Sequence, residues 1–118
     1  MSEQPVTEVR PHERVLLIEI VKRSLDETSA RQLADDVLTA TAARPNVPVV
    51  LDLAQLGFAP SAAIGSLIRL SRSFKLDGRR LALIGIQPRV LGAIKVTRLD
   101  AILEIHDTLE QVLLSRPK

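Results

Sequence analysis

Hydrophobic residues along the chain are concentrated in short aliphatic runs, most of them too short to be helices. Three of these runs predict strands, and they cover residues 13–21, the segment from Val49, and residues 79–86. The segment from Val49 is apolar almost without interruption except for Asp52, which is typical of a strand buried on both faces of a parallel sheet. Two shorter segments, 5–9 and 101–105, predict an N-terminal edge strand and a last strand.

Between these runs, hydrophobic residues recur at helical spacing, and residues that begin or end helices flank them. The predicted helices cover 26–44, 61–77, 87–97 and 106–116. Gly78 is expected to end the second helix and Pro88 to lie just inside the third, while Asp107 and Glu110 have the spacing of a capping box at the fourth. Strand and helix therefore alternate. This predicts an α/β fold, a single-domain mixed β-sheet of four to five strands with alternating helices packed on it, over residues 1–118.

The composition narrows the range of functions without identifying one. The 118 residues include 16 basic and 14 acidic ones, so the formal net charge is only +2. Phe58 and Phe74 are the only aromatic residues, so stacking platforms for bases are missing and nucleic acid is not the expected partner. Cysteine is absent, and His12 and His106 lack ligand spacing, so neither a metal nor another cofactor is expected.

The N-terminal sequence and the hydropathy predict a cytoplasmic protein. Residues 1–10 contain no apolar segment of the kind found in signal peptides. No apolar run approaches the ~20 residues that span a bilayer. We therefore expect no membrane partner.

The polar residues near the predicted strand ends do not form a catalytic set. Asp52 stands alone, without the further acids and the lysine that a phosphate-accepting aspartate requires, and its carboxylate is expected to face solvent or to accept from nearby backbone N–H groups. Ser61 lacks a neighbouring base and a Gly-x-Ser-x-Gly elbow, and no P-loop or dinucleotide-binding glycine pattern occurs. Enzymatic activity is not expected. A small enzyme or ligand-binding domain with a site at the strand ends is kept as the weakest hypothesis.

Two features of the second predicted helix draw attention to its surface. Gly65 costs stability inside a helix, so something is expected to approach it closely, either the sheet beneath or a partner above. Basic residues follow the helix and the segment after it, and they are interpreted as a solvated face, with a docking patch for an acidic partner as the alternative. These basic residues are Arg69, Arg72, Lys75, Arg79 and Arg80.

The order of these elements, and the residues at their junctions, resemble the STAS domain, a family named for sulfate transporters and anti-sigma-factor antagonists. The resemblance is carried by VLLIEIVKRSLDETSARQL, VVLDLAQLGFAPSAAIGSL, ALIGIQPRV and LEIHDTLEQVL, which fall in the family's order. It implies a mixed sheet covered by helices and an interaction module rather than an enzyme. In the bacterial antagonists of the family, the unphosphorylated form binds an anti-sigma factor that is also a serine kinase. Phosphorylation of a hydroxyl at the start of the second helix then breaks the complex.

In the family, that hydroxyl lies at the strand-to-helix corner, in the sequence Asp-Ser-Ser-Gly-Leu-Gly. This chain has Pro60-Ser61-Ala62-Ala63-Ile64-Gly65 there. Ser61 therefore falls on the phosphorylated serine, whereas a proline replaces the acid and alanines replace the second serine and the first glycine. From the residues alone, Ser61 is interpreted as the helix N-cap, a role that is compatible with phosphorylation.

The expected function is that of an anti-sigma-factor antagonist in a partner-switching pathway, bound to a kinase-like anti-sigma factor. The surface expected to bind this partner consists of Phe58, Pro60, Ser61, Ala62, Ala63, Gly65, Ser66 and Arg69. The alternative hypothesis is a STAS scaffold or assembly subunit that binds without phosphorylation, which the changed residues around Ser61 motivate. A homodimer is left open.

Overall fold

Strand and helix alternate along most of the chain. The computed structural model describes residues 5–115, without the side chain of Asp100. The strands are β1 (Thr7–Arg10), β2 (Leu16–Ile20), β3 (Val49–Asp52), β4 (Leu81–Ile84) and β5 (Glu104–His106). The helices are α1 (Glu27–Ala42), α2 (Ser61–Leu76), α3 (Pro88–Val96) and α4 (Leu109–Leu114), and a short 3-10 helix (Leu99–Ala101) precedes β5.

The described strands form one mixed sheet, in the order β1-β2-β3-β4-β5. β1 runs antiparallel to β2, with Val9 opposite Ile18, and the other neighbouring pairs are parallel. Because a helix connects each parallel strand to the next, the carboxyl ends of β2, β3 and β4 lie at one edge of the sheet. The predicted mixed α/β sheet and its N-terminal edge strand are confirmed.

The two faces of the sheet are covered unequally. α1, α2 and α3 pack on one face, where strand residues such as Leu51 meet buried helix residues such as Leu67. Alternate strand positions face the other way, and there α4 covers Val50 through its buried residue Val112. Because side chains alternate along a strand, β3 and β4 are buried on both sides, as the apolar run from Val49 predicted.

Several predicted boundaries are wrong at the ends of elements. β2 is shorter than the predicted 13–21, and β4 begins only at Leu81, although Arg80 O before it still accepts from Val49 N at 3.0 Å. β5 begins at Glu104 rather than at residue 101, because the 3-10 helix occupies Leu99–Ala101.

The caps of the later helices follow the predictions in two cases out of three. Gly78 follows α2 with φ +67°, and Pro88 is the first residue of α3. The predicted capping box of Asp107 and Glu110 does not form at α4, and the cap lies one residue later. The Thr108 hydroxyl accepts from Gln111 N at 3.3 Å, and Asp107 N donates to the Gln111 side chain at 2.8 Å. Thr108 is the cap because its hydroxyl lies one residue closer to the first helical turn.

Candidate functional site

Residues 57–67, hereafter the corner, lead from β3 into α2, and hydrogen bonds tie Gly57 and the turn just before it to the loops on both sides. Gly57 N–H donates to the carbonyl oxygen of Arg23, after β2, at 2.8 Å. On the other side, the side-chain amide of Gln87, after β4, donates to the carbonyl oxygen of Ala54 at 2.6 Å. The start of the corner therefore has a fixed position at the carboxyl edge of the sheet.

Asp52 at the end of β3 has a structural role. Its Oδ1 accepts a hydrogen bond from Ala54 N at 2.9 Å. The backbone of Gly85 approaches the same oxygen so closely that a Cβ there would lie 3.1 Å from it, and the φ of +68° also favours glycine. The prediction that this carboxylate accepts from a nearby backbone N–H is confirmed.

Ser61 does not cap α2. The N-cap is Pro60, in extended conformation with φ −67° and ψ 169°, and no side chain accepts a hydrogen bond from the first turn. Ser61 is the first helical residue, its side chain is exposed, and its hydroxyl binds no other residue of the described part of the chain. The N-cap interpretation of Ser61 was wrong, because the residue lies one position too far into the helix.

The start of α2 leaves polar backbone atoms accessible. Pro60 O accepts from Ala63 N at 2.9 Å and from Ile64 N at 3.2 Å. The N–H groups of Ser61 and Ala62 have no acceptor among residues 5–115. A helix N-terminus with free N–H groups carries a partial positive charge, so negative charge at Ser61 is compatible with the fold.

The predicted partner-binding residues do not all reach the surface. Phe58 is 55% exposed, an unusual position for one of two aromatic residues. Ala63 and Ser66 are buried, so their side chains cannot belong to a binding surface, and Ser66 Oγ instead donates to Ala30 O on α1 at 3.1 Å. The remaining six are exposed or half-buried, and they are Phe58, Pro60, Ser61, Ala62, Gly65 and Arg69.

Gly65 faces open space. A Cβ added there would have no atom within 4 Å apart from its own helix backbone and chain neighbours. Of the two alternatives offered for this glycine, a close approach of the sheet from beneath is therefore wrong. The approach of a partner from above stays a prediction.

The five basic residues in α2 and in the segment after it form two groups with different roles. Arg69, Arg72 and Lys75 are exposed, and their side chains make no ion pair or hydrogen bond to any other residue in 5–115. Arg79 instead donates to three carbonyl oxygens at the end of α1 and in the following loop, those of Thr41, Arg44 and Val47. Burial lowers the pKa of the Arg79 guanidinium, and the nearby Asp77 opposes that effect.

Arg80, the other structural arginine, binds a buried carboxylate on the opposite face of the sheet. Its Nη2 lies 2.5 Å from Glu104 Oε2, and its Nε also donates to this carboxylate. His106 Nε2 lies 2.9 Å from the same Oε2. Burial alone would raise the pKa of the Glu104 carboxyl, but the hydrogen bonds and charges of Arg80 and His106 together lower it.

A groove beside the corner was missed by the sequence analysis. It has a volume of about 390 Å³, and its lining includes Ala34 and Ala62, with the charged residues Glu27, Asp35 and Arg69 at its rim. The small residues of α1 and α2 that face each other were the available signal, since they let two helices approach closely and leave space above them.

A family model described as the STAS domain matches residues 6–112. The chain belongs to the STAS domain family. The recognition made from the corner and the strand junctions is therefore confirmed.

Solved structures agree with this family. An anti-sigma-factor antagonist (STAS) domain protein from Planctomyces limnophilus is 27% identical, with a TM-score of 0.76, over 92% of this chain and 94% of that one. An anti-sigma factor antagonist from Mycobacterium paratuberculosis is 21% identical, with a TM-score of 0.73, over 91% and 89%. The Bacillus cell fate determinant SpoIIAA in its phosphorylated form is 16% identical, with a TM-score of 0.65, over 91% and 96%. The STAS fold is thus shared by this chain and by proteins described as anti-sigma-factor antagonists.

Neither a membrane-spanning helix nor a metal-binding cluster is found among residues 5–115 of this STAS domain. Among the helices of the described residues, none is both long and apolar enough to cross a membrane. Within residues 5–115, no three His, Asp or Glu side chains are placed so that they could hold a metal ion.

Proposed function

We propose that this STAS domain is an interaction module of the anti-sigma-factor antagonist type, which binds a kinase-like anti-sigma factor through the exposed part of the corner. The observation that carries the proposal is the position of Ser61, whose unbonded hydroxyl is exposed at the first residue of α2. Phe58, three residues earlier, exposes an aromatic ring, and aromatic residues are enriched among those that dominate binding energy. Gly65, one turn further along, leaves room for a partner's backbone.

Phosphorylation of Ser61 is the proposed regulation of this surface. A phosphate adds a charge of about −1.5 to −2 at pH 7. The free N–H groups of Ser61 and Ala62 and the helix dipole would stabilise it without disturbing the fold. The same charge would have to be desolvated in any interface that covers Ser61, so phosphorylation is expected to weaken binding.

A scaffold that binds without phosphorylation is the second candidate. Pro60 supplies neither the charge nor the acceptor oxygens of the acid that the family has at this position. Ala62 and Ala63 likewise lack polar groups that a kinase could recognise. In this case the exposed part of the corner would bind its partner constitutively.

Phosphoryl transfer can be tested with purified kinase-like anti-sigma factors from the genome that encodes this chain. Each is incubated with the STAS domain and ATP, and the product is measured by intact mass. We expect one added phosphate, which Ser61→Ala abolishes and the matched control Ser24→Ala, at another exposed serine, does not. No added phosphate with any of these kinases would contradict phosphorylation at Ser61.

Binding distinguishes the two candidates. The variant Ser61→Asp places a negative charge at the first position of α2, where it favours the helix, so folding is retained. If Ser61 is the switch, this variant binds the anti-sigma factor at least tenfold more weakly than the unmodified domain does. Equal affinity would favour the scaffold, and absence of any binding partner would contradict both candidates.

A further inference from the structure

α1 and α2 lie side by side and present outward surfaces of different charge. α1 contains three carboxylates and one cation, whereas α2 contains three cations and no carboxylate. On α1 the exposed charges are Glu27, its ion-pair partner Arg31 and Asp35, which is unpaired within residues 5–115, and on α2 the exposed cations include Arg69 and Arg72. The exposed sides of the two helices, hereafter the α1–α2 surface, thus form a stripe of net negative charge, the acidic stripe, beside a basic one.

The same surface exposes one large hydrophobic side chain from each helix. Leu38 of α1 is 47% exposed and Leu76 of α2 is 88% exposed. Single exposed leucines are ordinary. Here, however, each leucine lies on a charged stripe, and the arginines of the α2 stripe have no partner within residues 5–115. A partner that covers this surface would bury both leucines and neutralise the unpaired arginines.

We propose that the α1–α2 surface binds a second copy of this chain across a two-fold axis that runs along the two helices. Rotation about such an axis places α1 of each copy on α2 of the other, so that each acidic stripe meets a basic one. A two-fold axis across the helices would instead place α1 on α1 and α2 on α2, with like charges opposed. Charge complementarity therefore selects the first arrangement.

The heights of the residues along the helices fit this arrangement. The hydrogen bond from Ser66 Oγ to Ala30 O, at 3.1 Å, places these two residues at the same level. Counted from that level, Asp35 is level with residue 71, between Arg69 and Arg72.

The leucines also match. From the same reference level, Leu38 corresponds to position 74, which is two residues or about 3 Å from Leu76 at 1.5 Å per residue. Because a two-fold axis along the helices preserves heights, Asp35 of one copy meets the arginines of the other, and Leu38 meets Leu76. One arrangement thus satisfies the charged and the apolar residues together.

The size of the surface predicts a weak, reversible dimer. Two helices of 16 residues are each about 24 Å long and together about 20 Å wide, which gives roughly 500 Å² per copy. This is near the lower limit of about 1,000 Å² in total for specific interfaces. Because exposed charges supply much of the complementarity, the dimer is also expected to weaken at high salt.

Sedimentation equilibrium of the purified chain, from about 1 to 200 µM, tests the proposal over the range in which such an interface associates. We expect the average mass to rise from monomer towards dimer. One variant, Arg69→Glu/Arg72→Glu, makes both stripes acidic, and another, Glu27→Gln/Asp35→Lys, makes both basic. Each variant alone should remain monomeric, and an equimolar mixture of the two should form a heterodimer.

Matched controls separate this interface from a general effect of charge. Arg89→Glu/Lys95→Glu changes the charge of α3 by the same amount as the α2 variant and should dimerise as the unmodified chain does. Circular dichroism verifies that every variant is folded. The proposal is overturned if the unmodified chain is monomeric at the highest concentration, if either variant dimerises normally, or if the mixture of folded variants stays monomeric. It does not depend on the anti-sigma factor, because none of these measurements includes a second protein.

Discussion

At the scale of single residues, the start of α2 is decided by a side chain that cannot accept a hydrogen bond. Pro60 occupies the N-cap, so Ser61 is exposed and unbonded at the next position. We expect Ser61→Ala to change the free energy of unfolding by less than about 0.5 kcal/mol, because no hydrogen bond is lost. The control is Thr108→Ala at the N-cap of α4, where the hydroxyl bound to Gln111 N is lost and about 1 kcal/mol is expected. Urea denaturation measures both, and an equal loss in the two variants would show that Ser61 has a structural role.

Substitutions of the two phenylalanines should have different effects, one on binding and the other on the stability of the fold. Phe58 is 55% exposed, so Phe58→Ala should leave the unfolding midpoint nearly unchanged, and, if the proposed function holds, it should weaken binding to an anti-sigma factor at least tenfold. Phe74 is 3% exposed in the core, and Phe74→Ala should cost about 3–5 kcal/mol of stability. Titration calorimetry and thermal unfolding measure the two effects. Unchanged affinity of Phe58→Ala would remove Phe58 from the binding surface.

At the scale of elements, Glu104 couples β5 to the start of β4 through Arg80. The pKa of the Glu104 carboxyl lies below its ordinary value of 4.5. A lowered folded pKa means that the charged form stabilises the fold fully above about pH 4.5, and that this stability is lost as the pH falls through the lower folded value. Glu104→Gln should therefore cost about 3 kcal/mol at pH 7, because it leaves the partly buried guanidinium of Arg80 uncompensated.

The role of the Glu104 charge is tested most directly by the dependence of stability on pH in the acid range. Below pH 4.5 the difference in stability between the unmodified chain and Glu104→Gln should shrink, since protonated Glu104 and glutamine are both neutral. Chemical denaturation at a series of pH values measures it. Glu27→Gln is the matched control, because that carboxylate pairs with Arg31 on the exposed side of α1. A constant difference across the acid range would contradict the role of the Glu104 charge.

The sequence predicted the elements because their signals are local, and it failed where a residue acts at a distance. The apolar run from Val49 and the glycine after α2 depend only on their neighbours in the chain, and both predictions hold. Arg79 was interpreted as part of a solvated face, but it binds carbonyl oxygens at the end of α1 that lie more than thirty positions earlier. The candidate site shows the same limit. Ser61 and Phe58 were found by their position in the corner, whereas the burial of Ala63 in the core and of Ser66 against α1 depends on how α2 packs on the rest of the fold.

At the scale of the whole molecule, the two faces of the sheet have different amounts of cover. Three helices protect one face, and the six-residue α4 protects the other through Val112 and its neighbours. Apolar spacing and helix-start residues predicted all four helices but carried no information on the face of the sheet on which α4 packs. The position of α4 follows from the alternation of side chains in β3 and β4. Val50 and Ala82 are apolar and point away from α1, α2 and α3, and α4 buries them.

This division predicts that α4 opens separately from the rest of the fold. Val112 is fully buried, and Val112→Ala removes two methyl groups from the smaller core, which should cost about 2 kcal/mol. Hydrogen exchange should then increase for Leu109–Leu114 and for β5 while α1 and α2 keep their protection, because the larger core on the other face is untouched. Leu114→Ala, at a side chain that is 81% exposed on the same helix, is the control and should change neither stability nor exchange. If exchange instead rises uniformly through all helices in Val112→Ala, the two cores unfold as one cooperative unit, and α4 is as firmly part of the fold as the three helices opposite.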